Sequence, residues 1–127
     1  MLTTEDLKNI ARARLRDADA LLAAGRYDGA IYLCGYAVEL ALKSRICRTM
    51  KWQEYPLAGE YRTFRTHDLV VLLHLTGREQ LVRAKLMPEW SVAVKWDTSL
   101  RYKPVGTANR NDAELRIKAV RRLVKEI

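Results

Sequence analysis

The sequence predicts an all-α fold, an up-and-down bundle of four to five helices forming a single domain over residues 1–127. Three observations predict it. Only six Gly and three Pro interrupt 127 residues, too few breakers for the many tight turns of a β fold. Apolar residues recur at helical spacing through several segments. Helix-capping residues stand where those segments begin. Hydrophobic residues make up 49% of the chain, enough for one ordinary core and against wholesale disorder.

The first helix is expected to start at Thr3 or Thr4, with Glu5 and Asp6 in its first turn. Leu7, Ile10, Ala11, Ala18, Leu21 and Leu22 form its apolar stripe, and Gly25 stops it. Arg14 falls within that stripe. It either snorkels at the stripe's edge or partners a buried carboxylate.

A short connection, Gly25 to Gly29, predicts a second helix packed antiparallel on the first. From Ala30 to Leu42 that helix is apolar on nearly every face, which makes it the central one. Ala30, Cys34, Ala37 and Ala41 give it a stripe of small residues. Glu39 is its one charge in this stretch, with Lys43 a turn later. If Glu39 is buried it must be paired, and Arg14 is the candidate.

Residues Met50 to Arg65 lack periodicity and read as a loop. Thr66 is expected to cap a third helix carrying Leu69, Leu72 and Leu73. A capping box over Thr76–Glu79 is expected to open a short helix to about Leu86, and Pro88 resets the chain. Glu89 to Lys103 reads as a short helix ending in a loop, and Pro104 and Gly106 mark a break. Asn111 with Glu114 is expected to cap the last helix, striped by Ala113, Ile117, Val120, Val124 and Ile127. Lys118, Arg121, Arg122 and Lys125 project from its other side, as a solvated face or a binding surface.

The formal charge is +8, from 23 Lys and Arg against 15 Asp and Glu. Such an excess favours polyanionic partners, although solubility alone also maintains it. Cys34 and Cys47 would lie roughly 20 Å apart along one helix, out of disulfide reach, and lack neighbours at zinc-site spacing. They read as buried thiols in a reducing cytosol. Charges from Glu5 onward argue against a secretory signal, and the run from Ala30 to Leu42 is too short to span a bilayer. No metal or cofactor motif is present, so the expectation is a cytoplasmic protein without a cofactor, away from membranes.

Two segments carry possible chemistry. His74 reads as structural, whereas His67 follows a loop and forms Arg-x4-His with Arg62. An imidazole can take a proton from a ribose 2′-OH, and a guanidinium can stabilise a pentacoordinate phosphate, so the pair suits metal-independent RNA cleavage. Residues five apart on one helix diverge by roughly 140°, so they meet only if Arg62 lies in the loop or two subunits contribute. The plainer reading of the pair is a surface arginine and a helix-start histidine. In the second segment, Arg101 and Lys103 can hold phosphates while Tyr102 or Trp96 stacks on a base. A packed aromatic with solvated charges reads equally well there.

Four segments together resemble the HEPN family. They are Arg26-Tyr27-Asp28-Gly29-Ala30, the stretch from Gly35 to Lys43 with Ala37, Glu39 and Lys43 in an Ala-x-Glu-x3-Lys core, Thr66-His67-Asp68-Leu69, and Leu100-Arg101-Tyr102-Lys103-Pro104. The resemblance covers nearly the whole chain. It implies a helical bundle, usually a homodimer, often encoded beside a minimal nucleotidyltransferase. Some members are ribonuclease toxins using Arg-x4–6-His at the dimer interface, and others bind nucleotides. The leading expectation is a protein that binds RNA or a nucleotide, as one half of a toxin–antitoxin-like pair. The contacts would come from Arg101, Tyr102, Lys103 and Lys43. The alternatives are an active ribonuclease using Arg62 and His67, and a structural adaptor for the nucleotidyltransferase partner.

Overall fold

The computed structural model describes residues 2–56 and 64–127, apart from the side chain of Arg101. Among these residues there are six α-helices and no strand. They are α1 (Thr4–Ala23), α2 (Tyr27–Met50), α3 (Leu69–Thr76), α4 (Glu79–Lys85), α5 (Met87–Ala93) and α6 (Arg110–Glu126), with a 3₁₀ turn over Thr98–Tyr102 before the last. The count is one more than the expected four to five, with three short helices in the middle of the chain. Gly77, left-handed at φ 73°, ends α3, and Pro88 starts α5.

The hairpin of α1 and α2 is set by its ends. Thr3 caps α1 in a reciprocal box, its hydroxyl accepting from the Asp6 amide at 3.0 Å while the Asp6 carboxylate accepts from the Thr3 amide at 3.1 Å. At the other end Gly25 takes a left-handed φ of 74°. The amides of Gly25 and Arg26 then donate back to the carbonyls of Leu22 and Leu21, which turns the chain at once into α2.

Helix α2 is the axis of the bundle, touching α1, α3 and α6. Its small stripe of Ala30, Cys34, Ala37 and Ala41 is buried, as the near-continuous apolar run requires. Burial pushes the Cys34 thiol up to about 12 and raises Cys47 as well, so both are unreactive hydrophobes. Leu69, Leu72 and Leu73 of α3 enter the same core. So do Trp90 and Ala93 of α5 and Ile117, Val120 and Leu123 of α6.

Three expected caps lie elsewhere. Asp68, not Thr66, caps α3, accepting from the amides of Val70 and Val71. The Thr66 hydroxyl instead accepts from the Asp68 amide and shapes the approach. Thr76 closes α3 rather than opening α4; it is buried and donates to the Leu73 carbonyl. Asn109, not Asn111, caps α6. At α3 and α6 two capping residues stand close together, and the one on extended backbone caps the helix, whereas Arg78 before α4 makes no side-chain cap.

The cationic ridge of α6 is not simply solvated. Arg121 reaches Asp19 on α1, and Arg122 binds Glu89 on α5 at 3.0 Å. Such exposed pairs contribute about 0–1 kcal/mol each and mainly select how α6 lies.

Asp28, in the first turn of α2, fastens the loop that leads into α6. Its carboxylate accepts from the amides of Gly106 at 2.6 Å and Ala108 at 2.9 Å. These bonds hold the Asp28 carboxyl below the usual carboxylate range. A carboxyl depressed in the folded state stabilises above its unfolded pKa, and that contribution is lost as pH falls through the folded value. Asp28→Ala should therefore abolish hydrogen-exchange protection at the Gly106 and Ala108 amides near neutral pH. The wild type should lose the same protection only in strong acid.

No helix among the described residues is long and apolar enough to cross a membrane.

Candidate functional site

The candidate site forms where the chain enters α3. Because Asp68 is the cap, His67 precedes the helix on non-helical backbone. The divergence expected of two positions on one helix therefore does not govern it. Its imidazole Nδ1 lies 2.7 Å from Oε1 of Glu39 on α2. Glu39 is 3% exposed, and its second oxygen receives Lys43 Nζ at 3.4 Å. A buried carboxylate thus has both oxygens engaged, as burial of a charge demands.

This is not the pair expected from sequence. Arg14 stands at the edge of its stripe and binds Asp17, one turn on, at 3.1 Å. That partner is local and half-exposed, so the pairing costs little desolvation. Glu39 is instead met from 28 residues downstream.

The consequences for the imidazole are specific. A carboxylate accepting at Nδ1 makes that nitrogen the donor and orients the ring. Nε2 then carries the free lone pair of the neutral imidazole, and more than half of the side chain, 57%, is exposed. The ring opens onto a groove of about 420 Å³, whose walls include Asp68, Trp96, Asp97 and Thr98. An imidazole held this way can accept a proton from a hydroxyl, or donate one to a phosphate oxygen once it is protonated.

The rim of the groove is acidic but tempered. Asp68 spends one oxygen on the α3 amides, and Asp97 caps the 3₁₀ turn by accepting from Ser99. The Ser99 hydroxyl and amide hold the Asp97 carboxyl below the usual range. Thr98 begins the turn that ends at Tyr102, so Tyr102 follows the rim within ~8 Å of rise.

The other expected site residues divide. Tyr102 is 77% exposed and Lys103 is exposed. Trp96 is not. At 4% exposed, it packs edge-on against Tyr36 with centroids 4.9 Å apart, and its Nε1 donates to the Tyr32 carbonyl at 2.9 Å. Lys43 is likewise no surface phosphate ligand. It is engaged by Glu39 and sits over the Tyr55 ring, 5.3 Å from the centroid. Arg62 lies outside the described residues, as does the side chain of Arg101. His74 is exposed and binds Glu79 Oε1 at 2.6 Å, a surface pair.

Glu39 as an orienting group for His67 is what sequence reasoning missed. The available signal was the position of Glu39 in an apolar run, where burial would require a partner without saying which. Among the described residues no group of three His, Cys, Asp or Glu is arranged to hold a metal ion.

A family model described as "HEPN domain" matches residues 4–127. No curated protein and no solved structure matches the chain.

Proposed function

The chain belongs to the HEPN domain family, and on that premise we propose that it binds RNA or a nucleotide in the groove beside His67. The observation that carries this reading is the His67 ring, fixed through Nδ1 by buried Glu39 while its side chain is 57% exposed and lines the groove. Nε2 is the natural acceptor for a ribose hydroxyl. Tyr102 offers a face for a base, and Lys103 with Arg101 offers charge for the phosphates. We further propose a cytoplasmic homodimer acting as one component of a toxin–antitoxin-like pair with a minimal nucleotidyltransferase.

One observation favours a second reading, an active metal-independent ribonuclease. The Glu39–His67 hydrogen bond supplies a positioned general base or acid, and Arg62 five residues earlier would supply the cation.

Incubation of the purified protein with labelled RNA in EDTA separates the two. Under the leading reading RNA is bound and stays intact, and His67→Ala weakens binding by roughly tenfold, the loss of one good hydrogen bond to a charged or polar ligand group. Cleavage that His67→Ala abolishes would establish the ribonuclease instead. Failure to bind any RNA or nucleotide would leave the structural adaptor.

A further inference from the structure

A second concavity lies away from His67. It is a cleft of about 500 Å³ lined by α1, α2 and α6, with Arg78 in its lining. On α2 its lining residues are Ala41, Ser44, Arg45 and Arg48. At 100° per residue these lie roughly half a turn from Glu39 and Lys43, so the cleft and the His67 groove occupy opposite sides of one helix.

Its chemistry is one-sided. Lys8, Arg12, Arg45, Arg48, Arg78 and Lys125 line it, and none of them has an acidic partner within ion-pair distance among the described residues. Glu126 is the one acidic side chain in the lining. The Nε atoms of Arg45 and Arg78 are buried with no hydrogen-bond partner. Burial, followed by the charges of Arg78 and Arg48, depresses the Arg45 guanidinium from its ordinary value. Like charges assembled at the mouth of a concavity repel one another, and an anion seated among them removes both the repulsion and the unmet donors.

The lining also says what the ligand does not present. It holds no aromatic side chain to stack on a base and no Asn or Gln to read a base edge. Arginine forks and lysine ammonium groups match phosphate oxygens. We propose that this cleft holds the phosphate backbone of an RNA strand without reading its bases. It takes its ligand class from the reading above and adds a second surface to it.

The test measures binding of fluorescent single-stranded RNA oligomers of different sequence between about 50 and 200 mM salt, using the full chain. Wild-type protein should bind all of them with similar affinity. Arg45→Gln with Arg48→Gln should weaken binding about tenfold and reduce the salt slope by about 0.7 for each phosphate that the variant leaves unneutralised. Arg12→Gln with Lys125→Gln, both on exposed positions, should act in the same direction and guards against misfolding of the first variant. His67→Ala should leave the salt slope unchanged. A slope that neither double variant lowers would overturn the proposal while leaving the His67 groove standing. Base discrimination that Arg45→Gln with Arg48→Gln abolishes would overturn it too. Inorganic tripolyphosphate displacing RNA at equal phosphate concentration would transfer the cleft to free polyphosphates. Wild-type protein that binds no RNA at all would sink both readings.

Discussion

Trp96→Ala is expected to destabilise the fold by about 3–5 kcal/mol, the range for truncating a buried large aromatic. The ring lies between the 3₁₀ turn and α2, against Tyr32 and Tyr36. It sits on a notch that only glycine leaves open. A Cβ built on Gly35 would fall 2.1 Å from Trp96 Cδ1 and Nε1, far inside van der Waals contact. The loss would also free the Tyr32 carbonyl that the indole binds. Chemical denaturation of wild type and variant measures the difference. Gly35→Ala alone should cost about 1–3 kcal/mol by overpacking. In a Trp96→Ala background the same substitution should cost almost nothing, because the atoms it meets are gone. A double-mutant cycle showing additive effects would refute the notch.

Glu39→Leu is the second large effect, expected at about 2–3 kcal/mol. Removing one partner of a buried ion pair costs about 3–5 kcal/mol. The lower figure reflects the more-than-half exposure of His67, whose lost partner water can replace. Lys43, at 14% exposure, bears most of the penalty. Glu39→Leu combined with Lys43→Met should therefore be more stable than Glu39→Leu alone, since no unpaired charge is then buried. The chemical consequence at His67 is separable from stability. In the wild type, nitrogen NMR of the ring should report the tautomer protonated at Nδ1. In Glu39→Leu that preference should vanish, and RNA binding or cleavage should fall toward the level of His67→Ala. A wild-type ring protonated mainly at Nε2 would remove the orienting role of Glu39.

The helices were legible because their determinants are local. The spacing of Leu7, Ala11 and Ala18, the capping threonines Thr3 and Thr4, the stop at Gly25 and the apolar run around Val38 each depend on residues within a turn or two. Where two caps competed, as with Thr66 and Asp68, local sequence was ambiguous because either side chain can accept from a nearby amide. The short helices after Gly77 were harder for a related reason. Segments of seven or eight residues contain too few turns for a period to declare itself.

The site was legible only in part. His67 and Tyr102 could be singled out by residue type and by their neighbours, and both are exposed. The burial of Trp96 was not readable. An aromatic beside basic residues looks the same whether it stacks on a ligand or fills a notch at Gly35, on a helix far back in the chain. The cleft of Arg45 and Arg78 was invisible for the same reason, since its cations come from α1, α2, α6 and the turn before α4.

By itself, then, the sequence determined an all-helical bundle, the central place of α2 and the requirement that a buried Glu39 be paired. Those follow from periodicity, capping and the cost of unpaired charge. Tertiary structure alone decided that His67 rather than Arg14 meets Glu39, and that unpaired cations gather on the opposite side of α2. Contacts between distant segments depend on how helices cross and where a loop returns. Side-chain chemistry constrains which pairs are possible, but only packing brings one of them within 2.7 Å.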